Sequence, residues 1–222
     1  MPKYVFNEEL TQLLNNLNNG IIPEKYPEII TNVSWRDIEI SCEFRNTYTK
    51  FIGFSLISKN WISELKNLII GNAKCLEIMS GRGLLSKALR DIGTDIIATD
   101  NLSWENDDDS NYKNWSTHFT DIEDIDAVKA VKKYGKDVKY IIVSWAPYDE
   151  PIAYNVLLKM REVNPDCKMI FIGEDYGGCT ADYKFFNAVE IKLSEIEQDN
   201  LNKINKHYQR FNGIHDFIQI YN

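Results

Sequence analysis

The feature that most restricts the fold is the rhythm of the chain after residue 72, where short apolar runs alternate with amphipathic stretches. Residues 73–79, 95–99, 139–143 and 168–172 read as strands, and 115–119 as a further one. Helical spacing runs through 84–91 and about 123–134, and Pro151 marks the start of the next helix. Strands alternating with helices in this way imply an α/β fold, a mostly parallel sheet with helices on both faces. Near the end the pattern changes to period-2 alternation at 189–193 and 217–221, flanking a polar helical stretch. These two runs are expected to pair at one edge of the sheet, giving an antiparallel C-terminal edge strand.

The first seventy residues are different. Phe6, Leu10, Leu13 and Leu14 fall on one helical face, and Gly20 is placed to end that helix. Ile57, Trp61, Leu65 and Leu68 repeat the helical spacing. Residues 1–71 therefore read as a helical N-terminal cap or extension and 72–222 as the sheet domain, together one compact unit.

Composition narrows the function. The chain has 33 acidic against 25 basic residues, a net charge of −8, which disfavours binding to bulk nucleic acid. No apolar run approaches the ~18–20 residues that span a bilayer. Glu8 and Glu9 stand where a signal peptide needs an apolar stretch, so a cytoplasmic protein is expected. Cys42, Cys75, Cys167 and Cys179 form no C-x-x-C pair, and His118, His207 and His215 have no ligand spacing, so no metal site is expected. The acidic run Asp107, Asp108 and Asp109 reads as a solvated loop.

The chemistry is concentrated at Leu76-Glu77-Ile78-Met79-Ser80-Gly81-Arg82-Gly83-Leu84-Leu85-Ser86. A strand runs into a Gly-x-Gly turn and then a helix, so a ligand can lie against bare main chain at a helix start. Asp100 closes the next strand, 17 residues after Gly83, where an acid can accept hydrogen bonds from a ribose diol. A dinucleotide fingerprint needs a third glycine where Ser86 stands, which weakens a nicotinamide or flavin reading. Glu77, inside the strand, would repel phosphates and suits a ligand with a cationic amino-acid end.

With Asp100, this segment resembles the cofactor motifs of class I S-adenosylmethionine-dependent methyltransferases, and the resemblance runs in order from residue 73 to the end of the chain. It implies a Rossmann-like fold and S-adenosylmethionine as cofactor. By this resemblance Glu77 holds the methionine amino end, Ser80, Gly81 and Gly83 pack against the cofactor, and Asp100 binds the ribose hydroxyls. Asp121 would contact the adenine amino group, with Asp124 and Asp126 as nearby competitors, and Ile122 would pack on the adenine face. The family's usual first glycine of the loop is replaced by Met79.

Ser144-Trp145-Ala146-Pro147-Tyr148 follows the fourth strand, at the sheet end where ligands gather. It looks like the Asn/Asp/Ser-Pro-Pro-Tyr/Phe motif of amino-group methyltransferases, matching at Pro147 and Tyr148. Trp145 cannot accept a hydrogen bond, and Ser144 is placed to compensate. Ser144, Pro147 and Tyr148 are thus the candidate acceptor-pocket residues, Tyr148 stacking on a flat acceptor and the Trp145 and Ala146 carbonyls facing the site. Glu174 and Asp149 are candidate general bases. The dull alternative for the Glu174 loop is a turn followed by a helix N-cap at Thr180. Cys179 has no sequence-visible base to activate it as a nucleophile. The basic and aromatic stretch from Arg45 to Phe54 is placed either to cover the site or merely to pack cap on sheet.

The reading is methyl transfer from S-adenosylmethionine to a nitrogen or oxygen of a small molecule or protein. Met79 and Trp145, departures from the motifs, keep open a non-catalytic module that binds S-adenosylmethionine or another nucleoside. A nucleotide-dependent oxidoreductase is a third reading.

Overall fold

The computed structural model describes residues 6–35, 37–69, 73–106, 115 and 117–222. Four helices come first: α1 (Glu8–Asn18), α2 (Glu28–Thr31), α3 (Ile38–Phe51) and α4 (Lys59–Leu68). The Asn7 side chain caps α1 by accepting from the Leu10 N–H. Gly20, at φ 73°, closes it, with Gly20 N–H donating to Leu17 O and Ile21 N–H to Asn16 O, the double bond of a Schellman end.

The alternating part follows as β1 (Cys75–Ile78), α5 (Leu84–Asp91), β2 (Ile96–Asp100), β3 (Glu123–Asp124), α6 (Ala127–Tyr134), β4 (Tyr140–Ser144), α7 (Ile152–Val163) and β5 (Lys168–Gly173). The chain ends with α8 (Tyr183–Ala188), α9 (Glu195–His207) and β6 (Phe217–Tyr221). The six strands form one sheet in the order β3-β2-β1-β4-β5-β6. All neighbours are parallel except β6, which runs antiparallel to β5 from Met169↔Tyr221 to Gly173↔Phe217. This is a Rossmann-like sheet with an antiparallel C-terminal edge strand.

Burial on both faces explains the continuous apolar runs of the inner strands. On one face Tyr140, Ile142, Ile170, Ile172, Ile218 and Ile220 join a core shared with α1, α3, α4, α5 and α9. On the other, Leu76, Ile78, Ile141, Val143, Met169 and Phe171 pack under α6, α7 and α8. The N-terminal helices therefore bury their apolar stripes directly against the sheet, with Phe44, Tyr48 and Trp61 fully enclosed.

Three sequence expectations are corrected. Trp115 and Thr117–Phe119 lie outside any strand, and β3 is the two-residue segment Glu123–Asp124, paired as Thr99↔Glu123 and Asp100↔Asp124. The apolar residues that suggested a strand have other work: Trp115 is buried against the Gly81 turn, and Phe119 lies beneath the Arg82 guanidinium at 4.1 Å. The helix expected from residue 123 begins instead at Ala127, with the Asp126 side chain accepting from Lys129 N–H. Residues 189–193 do not form a strand either. The outer edge of β6 is met by Asn205 of α9, whose amide accepts from Ile218 N–H (2.9 Å) and donates to Ile218 O (2.8 Å). A side chain thus takes the place of the missing strand, and residues 189–193 are hydrogen-bonded just past the end of β6, by Asn222 N–H to Glu190 O and Lys192 N–H to Asn222 Oδ1. The boundary at Gly71 and Asn72, and the acidic run Asp107, Asp108 and Asp109, lie outside the described residues.

Candidate cofactor and acceptor site

Strand order reverses between β1 and β4, whose parallel register brings Ile78 beside Val143. Chains leaving these two strand ends diverge to opposite faces of the sheet, which opens a crevice at their carboxyl ends. A cavity of about 830 Å³ lies there. Its floor comes from Glu77, Met79, Ser80 and Gly81 after β1, Asp100 at the end of β2, and Ser144 and Trp145 after β4. Tyr48, Ile52, Gly53, Phe54 and Ser55 of the N-terminal region close it from above, so the stretch ending at Phe54 does face the cavity.

Glu77 is 2% exposed. The Ser86 hydroxyl donates to its Oε2, and the Ser86 backbone N–H, in the first turn of α5, serves the same carboxylate. Burial pushes its pKa up to about 7 against the pull of these two bonds, and Asp100 adds to the rise. The helix start that would cradle a pyrophosphate is therefore filled by the protein's own acid.

Asp100 shapes the other side of the turn. Its Oδ2 accepts from Gly81 N–H (2.8 Å), and its Oδ1 from Leu102 N–H (2.8 Å) and the Trp104 indole (3.1 Å). Burial raises its pKa while these donors hold it down. Gly81 (φ 54°) and Gly83 (φ 79°) are both left-handed, and a Cβ on Gly83 would stand 2.9 Å from Thr120 and 3.0 Å from Ile122. Met79, where the resemblance has glycine, adopts the same left-handed backbone at φ 53°, a strain of ~1–2 kcal/mol for a residue with a Cβ. The departure is thus one of side chain, with the turn's backbone in the glycine conformation.

An aromatic wall lines the cavity. Phe54 stacks on Trp145 (5.9 Å, 24°) and meets Trp115 edge-on (6.1 Å), and Trp115 meets Trp104 edge-on (5.3 Å). Arg82 is 2% exposed and locks this wall to the N-terminal helices. Its guanidinium donates to Thr117 O (2.6 Å), Thr117 Oγ1 (2.8 Å), Phe51 O and Asn18 Oδ1 (3.4 Å).

Of the residues singled out in the sequence, Glu77, Ser80, Gly81, Asp100, Ser144 and Pro147 line the cavity together. Gly83, Asp121, Ile122 and Tyr148 do not. Asp121 is exposed, with its carbonyl taken by Arg90 (3.1 Å), and Ile122 packs on Gly83. Asp126, one of its neighbours, does line the cavity. Tyr148 is 66% exposed, and the flat surface in the cavity belongs to Trp145 and Phe54. The Ala146 carbonyl, expected to face the site, accepts from Ala181 N–H (3.2 Å).

Glu174 is tied to the backbone: Oε1 accepts from His215 N–H (2.9 Å) and Oε2 from Cys179 N–H (2.8 Å). Burial raises its pKa, yet these donors outweigh it and hold the group below its ordinary value, which makes it a weaker base than a free carboxylate. Asp182, rather than Thr180, caps α8, while Thr180 Oγ1 bonds Glu174 O (2.8 Å). Trp104 and Trp115 carried no recognisable motif, and Arg82, inside the glycine turn, was given no role by it. Ser86 was visible only as a missing glycine, and its hydroxyl is the reason for that residue type.

No family model matches the chain, and neither does any curated protein. Among solved structures it is similar to S-adenosylmethionine-dependent methyltransferases. One, from Archaeoglobus fulgidus, is 13% identical with TM-score 0.43, over 73% of this chain and 91% of that one. The ribosomal protein L11 methylase of Lactobacillus delbrueckii subsp. bulgaricus is 17% identical with TM-score 0.35, over 52% of this chain and 58% of that one. The mitomycin 7-O-methyltransferase MmcR is 12% identical with TM-score 0.40, over 96% of this chain and 65% of that one. The chain spans less than two thirds of the length of the last two. Among the described residues no helix is long and apolar enough to cross a membrane, and no group of three or more His, Cys, Asp or Glu side chains is placed to hold a metal ion.

Proposed function

We propose that this chain is a cytoplasmic methyltransferase that binds S-adenosylmethionine and methylates a nitrogen or oxygen of a small molecule or protein. The observation that carries the reading is the pair Glu77 and Asp100. They are two buried carboxylates on adjacent strands, flanking the Gly81 turn and lining one cavity. A ligand with a cationic end and a ribose diol satisfies both, whereas a pyrophosphate meets Glu77 where it needs a free helix start. Ser80 Oγ, at the same turn, is buried without a partner among the described residues.

In this reading Glu77 faces the α-ammonium and Asp100 uses its remaining lone pairs for the ribose hydroxyls. Ser80 and Gly81 lie along the cofactor, with Gly83 setting the turn behind them. Asp126 takes the adenine role that the resemblance gave to Asp121. When bound, the cofactor supplies a methyl group already activated by its sulfonium. The chain's own contribution is alignment and exclusion of water by the wall of Phe54, Trp115 and Trp145. Ser144 and Pro147 border the acceptor side. Among the described residues Glu77, Asp100, Asp126 and Glu150 line the cavity against one cation, Arg82, which favours acceptors without phosphate over nucleic acid.

Calorimetric titration with S-adenosylhomocysteine, with NAD as control, tests the reading. Micromolar binding, about −8 kcal/mol, to the first alone is expected. Binding of NAD alone would replace it with the oxidoreductase reading.

A further inference from the structure

Methylation of a hydroxyl or amine releases a proton, and most carboxylates near the cavity are committed elsewhere. Glu77 is held by Ser86, Asp100 by three donors, Asp126 by the α6 start and Glu174 by two backbone N–H groups.

Asp216, just before β6, is different. It is 2% exposed, and its Oδ2 accepts from the Tyr208 hydroxyl (2.6 Å) and the Trp145 indole (3.1 Å). Its Oδ1 is buried without a partner among the described residues. A buried anion with one orphaned oxygen binds a proton readily. From the cavity wall inward, the Ser144 and Ser55 hydroxyls are 2.9 Å apart. The Ser55 side chain also faces the Tyr208 hydroxyl, whose own proton is directed to Asp216. The hydroxyls of Ser144, Ser55 and Tyr208 thus stand in order between the cavity and Asp216, bonded at the two ends of the row. Trp145, which steadies the far end, does so from a left-handed backbone at φ 54°.

We propose that Ser144, Ser55 and Tyr208 form a proton relay from the methyl acceptor to Asp216, and that the acceptor is accordingly a hydroxyl or amine. The inference rests on the methyltransferase reading above. The acceptor's oxygen or nitrogen forms its bond to the methyl carbon, and the electron pair of the broken sulfonium–methyl bond stays on sulfur. The acceptor proton passes to Ser144, the Ser144 proton to Ser55, the Ser55 proton to Tyr208 and the Tyr208 proton to Asp216. The cofactor loses its positive charge and Asp216 its negative one, so charge balances within the site. Asp216 touches no reactant and acts through Tyr208. The groups facing it are Glu174, which raises its proton affinity as burial does, Arg210, which lowers it, and Tyr208, beside which lies Tyr48 of α3.

The test compares the full-length wild type with Asp216→Asn, Tyr208→Phe and Ser55→Ala. S-adenosylhomocysteine affinity is measured first, then transfer of labelled methyl from S-adenosylmethionine to catechol, tyramine and benzylamine. Affinity within about threefold of wild type is expected throughout. A fall in kcat of about 10²-fold or more at unchanged KM for S-adenosylmethionine is expected in Asp216→Asn and Tyr208→Phe. The rise of kcat with pH should disappear in Asp216→Asn and return in Asp216→Glu. Wild-type kcat in the variants overturns the relay, as does an equal loss of S-adenosylhomocysteine affinity, which makes the row structural. Binding of S-adenosylhomocysteine by wild type with no transfer to any of the three probes also overturns it. Failure of wild type to bind S-adenosylhomocysteine removes instead the cofactor reading on which the relay stands.

Discussion

Ser86 stands nine residues beyond Glu77, across the glycine turn, and returns two donors to its carboxylate, one from the side chain and one from the main chain. The strand acid and the helix start are thereby one unit. The same contact occupies the slot of a phosphate and leaves a carboxylate poised for a cation.

The first prediction concerns stability and pH. Glu77 titrates at about 7 in the fold against an ordinary 4.5. Between those values the unfolded chain loses this proton while the fold keeps it, so the fold binds more protons and stability falls as pH rises. Below 4.5 the penalty vanishes, and above 7 it is complete, of the order of 3 kcal/mol. Glu77→Gln should flatten this slope and raise stability at pH 8 by ~1–3 kcal/mol in urea unfolding. An unchanged slope would locate the titration elsewhere.

Ligand binding should show the same group from the other side. An ammonium requires the ionised carboxylate, so S-adenosylhomocysteine affinity should climb with pH below about 7 and level off above it. Calorimetry in buffers of different ionisation enthalpy should register proton release in that window. Affinity flat from pH 5.5 to 8 would separate Glu77 from the ligand.

Asp100→Ala should weaken S-adenosylhomocysteine binding by roughly 1–3 kcal/mol through loss of charge-assisted hydrogen bonds. It also orphans the N–H groups of Gly81 and Leu102, so a modest drop in melting temperature should accompany it. Unchanged affinity removes Asp100 from the site.

Tyr148→Ala should leave S-adenosylhomocysteine affinity within about twofold of wild type, since the ring is exposed and off the cavity. Trp145→Ala should damage it, because that indole holds both Phe54 and Asp216. The reverse ranking would mean that the aromatic wall has been assigned to the wrong residue.

Arg82→Met should cost ~2–4 kcal/mol in urea unfolding, leaving the Thr117 and Phe51 carbonyls without their donor. A loss below ~0.5 kcal/mol would show that these carbonyls find water instead.

The fold was legible wherever burial on both faces forced a run of apolar residues. Tyr140–Ser144 and Lys168–Gly173 have helices above and below, and their sequences leave little choice. β3 escaped notice because two residues carry no period, while Trp115 and Phe119 nearby looked strand-like for reasons of cavity packing. In the site, Glu77, Gly81 and Asp100 could be picked out because they are close in sequence and locked to strand ends. Tyr208 and Asp216 could not, since their meeting with Ser55 and Trp145 depends on the return of the chain along β5 and on the seating of α3 and α4. Tyr148 misled because its neighbour Trp145 takes the left-handed turn and carries the aromatic surface inward in its place.

The Asn205 amide on β6 has a consequence for the life of the protein in a crowded solution. The outward N–H groups along this border are all answered within the molecule: Ile218 by Asn205, Ile220 by the Gln219 side chain, and Asn222 by Glu190. A bare border of this length is a template on which a second chain can grow its own strand, the usual first step toward fibres. Here the Asn205 amide answers both backbone groups of Ile218 on that border, so Asn205→Ala, which frees both, should make the protein more prone to aggregate.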